Sequence, residues 1–183
     1  MTRSIRRSMP SLLLLAALAA CGPSSDSGSQ AAQAPKVDAC TLFTYEDAKA
    51  IAGESLASMA STLDEAVGRD PSECIYNSGT LDQPRILSLL IRYHRSPEAA
   101  KRIQESSRSS FNSLSGGRVQ DVPGLGDGAL WVGGRIQQLH VLEGERELII
   151  TVQSPDGTDQ LPQARQIAEK IQERMKAGAK PAA

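Results

Sequence analysis

The spacing of apolar residues predicts three amphipathic helices. Apolar side chains recur every three or four positions in segments 42–54, 95–117 and 158–178, which places them on one face of an α-helix. Thr44 and Ser96 are typical N-cap residues for the first two of these helices. In the second helix the predicted apolar face consists of Ala100, Ile103, Ser107, Phe111 and Leu114. Each helix must bury such a face against another element.

Short runs of apolar and β-branched residues predict six strands between these helices. The strand segments are 74–77, 85–94, 118–122, 129–132, 135–142 and 146–153. Segment 86–91 is apolar on both faces apart from Ser88, which is typical of a central strand covered on two sides. Because short links join the later strands, they are expected to pair antiparallel. The predicted fold class is α+β, a mostly antiparallel, twisted sheet covered by about three helices.

A glycine-rich segment, VPGLGDGALWVGG at 122–134, resembles a loop that wraps a phosphate group. A phosphate-binding loop leads into a helix, whose free N–H groups hold the anion, and a P-loop ends in Lys-Ser/Thr. Here a predicted strand follows the glycines and the Lys-Ser/Thr ending is missing. The glycines are therefore expected to turn the chain at strand junctions.

The first 21 residues have the layout of an export signal. A basic start precedes an apolar run at 12–20, which is too short to cross a bilayer, and small residues stand directly before Cys21. Leu18 to Gly22 resembles a bacterial lipobox, in which the cysteine thiol is acylated and becomes the first residue after cleavage. The alternative is ordinary cleavage after Ala19, which would leave Cys21 as a free thiol.

Composition divides the chain into four predicted parts. Residues 1–20 form a lipoprotein signal peptide, and 21–37 are the lipidated cysteine with a flexible Ser-, Gly-, Ala- and Gln-rich tether. Residues 38–177 form one α+β domain, and 178–183 a disordered tail. The expected location is the cell membrane or outer membrane, with the domain facing the periplasm or the exterior.

Two cysteines remain if Cys21 is acylated, and such a pair in an oxidising compartment usually forms a disulfide. Cys40 and Cys74 are therefore predicted to be cross-linked. The alternative is a metal site that combines these cysteines with His94 and His140, but their spacing lacks the close pairs of structural zinc sites. A redox-active pair is disfavoured because there is no C-x-x-C motif. No metal or other cofactor is predicted.

Charge and aromatic content disfavour a nucleic-acid partner. The formal net charge is -1, and removing the three arginines before position 21 leaves 17 minus 21, or -4. Aromatic residues make up only 3% of the chain. Segment 85–118 is locally basic, so Arg92 and Arg95 are candidate contacts for anionic lipid head groups or an acidic partner. The alternative is an ordinary solvated helix face.

Few residues are candidates for a catalytic role, and the chain is not predicted to be an enzyme. His94 and His140 could act as general bases, but no nucleophile motif such as G-x-S-x-G accompanies them. Hydrogen-bonded or exposed histidines of the sheet are the favoured interpretation. Trp131, the single tryptophan, stands beside the glycine-rich turn and is a candidate ligand or partner contact, with packing as the alternative.

Three motifs together resemble a group of small secreted bacterial lipoproteins of unknown function. They are the helix start C-T-L-F-T-Y-E-D-A from Cys40, the strand C-I-Y from Cys74, and the turn V-P-G-L-G-D-G-A from Val122. Phe43 departs mildly from the Leu that the group often has there. The resemblance implies a Cys40–Cys74 disulfide and an LpqN-type or PsbP-like α/β/α sandwich, and it carries no catalytic residues.

The function expected from these observations is a lipid-anchored cell-envelope lipoprotein that acts as a non-catalytic binding or scaffold module. Its expected partners are the membrane, through the anchor, and an envelope protein or lipid. The first alternative is a carrier of a small apolar or lipid ligand in a pocket between helix and sheet. The second alternative is an envelope hydrolase without a recognisable motif.

Overall fold

The computed structural model describes residues 36–53, 56–60, 71–79, 84–154 and 156–178. The predicted signal peptide, Cys21, the tether up to residue 35 and the tail from residue 179 lie outside the described residues. Val37, the last residue assigned to the tether, packs partly against the core, and its N–H donates a hydrogen bond to the Tyr93 hydroxyl at 2.7 Å.

Within these ranges, seven antiparallel strands form one sheet in the order β1-β2-β3-β7-β6-β5-β4. Their bounds are β1 Ala57–Ala60, β2 Ser72–Gly79, β3 Pro84–Tyr93, β4 Val119–Asp121, β5 Gly128–Val132, β6 Gln138–Glu143 and β7 Arg146–Gln153. All six predicted strands are present. β3 and β7 pair along eight residues at the centre of the sheet, as the two-sided apolar pattern of segment 86–91 predicts.

Four helices of the described chain cover the sheet. They are α1 Ala39–Leu42, α2 Tyr45–Ala52, α3 Pro97–Leu114 and α4 Leu161–Lys176, and the last three confirm the predicted helices. Thr44 caps α2 and forms a reciprocal capping box with Asp47, and the Ser96 side chain accepts from the Ala99 N–H at the start of α3. The sequence therefore specifies the starts of α2 and α3 locally.

The sheet has a different character on each face. On one face, alternate residues such as Leu89, Leu139 and Ile150 pack in a continuous apolar core with residues of α1, α2 and α4. On the other face, His140 packs its ring against Phe111 of α3, with the centroids 4.8 Å apart. Helices therefore lie on both faces of an antiparallel sheet, which confirms the predicted α+β fold class.

The predicted disulfide is present. Cys40 of α1 is bonded to Cys74 of β2, with their Cα atoms 5.1 Å apart. Beside it, the Tyr76 hydroxyl donates to the Phe43 carbonyl oxygen at 2.9 Å, and the two rings meet edge to face. The cross-link therefore holds the first helical turn of the domain against its second strand.

The apolar stripe predicted for α3 is only partly buried. Ala100 is fully buried, but Ile103 is 45% exposed and Leu114 67% exposed. Directly beneath the helix the sheet carries polar side chains, His140 among them, so α3 does not cover a purely apolar face. The prediction is wrong for these two residues because the helical period assumes an apolar surface below the helix.

The glycine-rich segment turns the chain against β6. Gly126 has φ +50°, and a Cβ there would lie 2.1 Å from the Leu142 carbonyl oxygen. The next N–H, of Asp127, donates to that same oxygen at 2.8 Å, and the Asp127 carboxylate accepts from the Gly144 N–H at 2.7 Å. Only glycine fits this close approach of two backbones, in agreement with the expected role of these residues.

Candidate functional site: a cavity beside Trp131

Trp131 of β5 carries a buried polar atom that the fold does not use. Its side chain is 1% exposed, yet the indole Nε1 has no hydrogen-bond partner in the part of the chain that the structure describes. An unpaired buried donor costs about 1 to 3 kcal/mol, so native proteins rarely leave one without a reason. Among the described residues, the indole N–H is therefore a buried donor that no protein group uses.

A cavity of about 290 Å³ adjoins this indole. Its wall comes from four places in the chain: the α3–β4 connection with β4, the strand β5, the β5–β6 turn, and the β7–α4 connection. The lining residues are Gly117, Arg118, Val119, Gln120, Trp131, Gly133, Gly134, Gln137, Gly157 and Asp159. The volume lies at the small end of the range for ligand pockets.

Gly133 lies next to the indole N–H and places no side chain against it. Unlike many glycines of this chain, Gly133 does not have a positive φ, so its backbone conformation is open to other residues. A Cβ at this position would lie 3.1 Å from Trp131 Nε1 and 3.3 Å from Arg118 Cβ. A side chain at this position would therefore stand in direct contact with the indole Nε1.

Gln137 forms a strained part of the same wall. It is 3% exposed and has φ +50°, a conformation that is uncommon for a residue with a side chain. Its Oε1 accepts from the Gln160 N–H at 3.0 Å, and its carbonyl oxygen accepts from the Val152 N–H at 3.2 Å. These bonds hold the strained residue in place, as is common where a backbone shapes a binding site.

Charges of both signs line the cavity. The Arg118 guanidinium lies beside Gly134 and makes no ion pair within the described residues. The Asp159 carboxylate is exposed and accepts from the Leu161 N–H at 3.0 Å, at the start of α4. The cavity therefore offers an uncommitted cation and an indole N–H, with one acid at its edge.

A second polar cluster lies beneath α3, around Glu147 of β7. Its carboxylate is within 2.9 Å of His140 Nδ1, 3.2 Å of His94 Nε2 and 3.2 Å of the Arg92 guanidinium. Burial raises the pKa of Glu147, but the hydrogen bond from His140 and the charges around the carboxylate outweigh it and lower the pKa overall. Both histidine rings are buried, so this is an interior network and not an accessible catalytic pair.

A groove between α2 and α4 is the third candidate. It encloses about 220 Å³ over an apolar floor that includes Leu42, Phe43 and Ile171. At its edge the buried Asp47 carboxylate pairs with Lys170 and Arg174 of α4. Burial acts to raise the pKa of Asp47, but the hydrogen bonds from these two cations lower it well below its usual range.

The structure separates the predicted contact residues. Trp131 lines the cavity, whereas Arg92 is bound to Glu147 and neither Arg92 nor the exposed Arg95 is part of the cavity wall. Cys40 and Cys74 are linked to each other, so the alternative that placed them with His94 and His140 around a metal ion is wrong. The predicted lipidation site, Cys21, lies outside the described residues.

Sequence reasoning placed Arg118 only in the basic segment 85–118 and Gly133 only in a turn, and it did not single out Gln137. Arg118 stands directly before β4, whereas Gly133 and Gln137 both stand in the β5–β6 connection, and no motif links these residues to Trp131. A scan against models of protein families finds no match, and comparisons with curated proteins and with solved structures likewise give none. No helix within the described residues is long and apolar enough to cross a membrane.

Proposed function

We propose that the chain is a lipid-anchored cell-envelope lipoprotein whose domain is a non-catalytic binding module, with the Trp131 cavity as its binding site. One observation carries the binding proposal: a buried indole N–H without an acceptor among the described residues adjoins a cavity that Gly133 keeps open. A bound molecule with a hydrogen-bond acceptor would pair with the indole N–H, and this bond would stabilise the complex.

The anchor part of the proposal rests on the sequence. The basic start, the apolar run at 12–20 and the small residues before Cys21 support export followed by acylation. The motifs shared with the small secreted lipoproteins support the same assignment. A chain anchored in this way would hold its binding cavity close to a membrane surface, as a carrier or scaffold in the envelope requires.

Replacing Cys21 with serine is expected to release the protein from the membrane fraction, because the acyl chains that hold it there can no longer be attached. The measurement is fractionation of cells in high salt, with Ser24→Ala as the matched control that stays with the membranes. Membrane association of the Cys21→Ser protein in high salt would contradict the anchor.

Replacing Gly133 with alanine is expected to abolish binding in the cavity while the domain stays folded. The added methyl group would lie 3.1 Å from Trp131 Nε1, where it would block an acceptor from the ligand. It would not force residue 133 into an unfavourable φ, because Gly133 does not have a positive φ. Gly128→Ala is the matched control. This glycine at the other end of β5 also lacks a positive φ, and a methyl group added there would have no atom of another residue within 4 Å beyond its chain neighbours.

The measurement is native mass spectrometry of the full-length protein purified in mild detergent. Wild type and Gly128→Ala are expected to retain a bound molecule or partner, which Gly133→Ala loses. The chain has one tryptophan, so its emission reports this cavity directly. If wild type carries nothing and its emission is unchanged by unfolding and refolding, which strips bound molecules, the Trp131 cavity is not the binding site.

The groove between α2 and α4 supports a second candidate function, the carrier of a small apolar or lipid ligand. Its floor is apolar, and the Asp47 ion pairs at its edge would face a ligand's polar end. The same mass spectra distinguish the two sites. A bound lipid that survives in Gly133→Ala would place the ligand in this groove.

A further inference from the structure

We propose that the Trp131 cavity selects a small ligand carrying a carboxylate with a single negative charge. The inference deepens the proposed function and rests on it. Trp131 Nε1 and the Arg118 guanidinium belong to the cavity wall, and both can only donate hydrogen bonds. Both donors lack a partner among the described residues, so the complementary ligand group must accept hydrogen bonds.

The positive charge of Arg118 favours an acceptor group that is itself negatively charged. Arg118 makes no ion pair within the described part of the chain although it lines the cavity. A planar guanidinium matches a carboxylate through two parallel N–H bonds, and such charge-assisted bonds are the strongest of their kind. The nearby start of α4 contributes the positive end of the helix dipole.

Asp159 argues against a ligand with more than one negative charge. Its carboxylate lines the same cavity, where it accepts a hydrogen bond from the Leu161 N–H. A dianion such as sulfate would be repelled by this acid about twice as strongly as a carboxylate in the same position. The polar and charged side chains of the wall also disfavour a long acyl chain in this cavity.

Gln137 and Gly133 belong to the cavity wall together with Trp131 and Arg118. The Gln137 side-chain oxygen is committed to the Gln160 N–H, so the group it can still offer a ligand is its amide NH₂. Gly133 places no side chain between its own backbone and the indole N–H. A carboxylate could therefore receive N–H donors from Trp131 and Arg118 on its two oxygens, with a third donor at Gln137.

Two kinds of molecule carry such a group, a free small acid and the C-terminus of a peptide. The test uses one probe for each with its uncharged partner: butyrate with butyramide, and N-acetyl-alanyl-alanine with its C-terminal amide. Each probe is titrated into the full-length protein in detergent, and Trp131 emission is the readout. One or both acids are expected to bind about tenfold or more tightly than the matching amide.

The decisive variant is Arg118→Gln, with Arg135→Gln as the matched control. Arg135 is exposed on the β5–β6 turn and does not line the cavity. Arg118→Gln is expected to remove the preference for acid over amide, and Arg135→Gln to keep it. Because Arg118 is exposed, the variant is expected to fold normally, which circular dichroism would verify.

Four outcomes would overturn the carboxylate assignment. They are equal binding of acids and amides, an unchanged preference in Arg118→Gln, no response to either acid up to about 10 mM, and binding of sulfate as tight as that of the acids. The Gly133→Ala comparison does not depend on the charge of the ligand, so none of these outcomes changes its result. Failure of the carboxylate assignment can therefore be distinguished from failure of the proposed binding function.

Discussion

Replacing both Cys40 and Cys74 with serine is expected to lower the free energy of unfolding by about 4 kcal/mol. The disulfide closes a loop between residues 34 positions apart, and the cross-link removes conformations from the unfolded chain. In a domain of this size the loss corresponds to a fall in Tm of about 8 to 16 °C. It is the largest single stabilising contribution that we expect from any one pair of residues.

The measurement is urea unfolding of the full-length protein, followed by circular dichroism. Oxidised wild type, reduced wild type and the double serine variant are compared, because reduction breaks the same bond without changing a side chain. Reduced wild type and the variant are expected to agree. If oxidised and reduced protein unfold at the same urea concentration, the cross-link does not stabilise the domain.

The strands that sequence patterns predicted are those with a strong local preference for extended structure. Segments 85–94 and 146–153 are rich in Ile, Leu and Val, and they become the paired central strands β3 and β7. The four residues of β1, Ala57 to Ala60, contain no β-branched or aromatic side chain, so no local pattern predicts a strand there. β1 forms because β2 offers a free edge to pair with.

The disulfide was predictable because it depends on counting cysteines and on the redox compartment, not on distances. The burial of α3 was not, because it depends on what lies across the interface. Ile103 and Leu114 fit the helical period yet remain exposed, since α3 covers a layer that contains His140 and Glu147. Helical periodicity describes only the surface of the helix, whereas burial also depends on the surface against which the helix packs.

The candidate site was also only partly predictable from the sequence. Trp131 could be singled out because a lone tryptophan beside glycines is conspicuous in sequence. Arg118, Gln137 and Asp159 could not be grouped with it, because they stand in three separate connections that meet only when the sheet closes the cavity. The unpaired indole N–H is visible only once the acceptors around it have positions.

The cluster around Glu147 gives the second large effect, and it too was invisible in the sequence. Replacing Glu147 with alanine is expected to lower the free energy of unfolding by about 3 kcal/mol or more. The carboxylate is 3% exposed and is the shared partner of Arg92, His94 and His140. Removing it leaves two buried imidazole rings without their acceptor and opens a cavity beneath α3.

Glu147→Gln separates charge from volume. The pKa of Glu147 in the folded protein lies below its ordinary value of 4.5, so the charged form stabilises the fold above that pH. This contribution is lost as the pH falls through the lowered pKa. The stability difference between wild type and Glu147→Gln is therefore expected to be largest near neutral pH and to shrink below about pH 4.5.

The experiment is urea unfolding of wild type and the two Glu147 variants across this pH range, with Glu169→Ala as the control. Glu169 forms an exposed ion pair with Arg165 one helical turn away, so its loss is expected to cost about 0.5 kcal/mol or less. Arg92, His94 and His140 are unchanged in every variant and face position 147 in wild type. If Glu147→Ala is as stable as the Glu169→Ala control, the cluster does not support the fold. If the stability difference between wild type and Glu147→Gln does not change with pH, the sheet requires the volume of this side chain and not its charge.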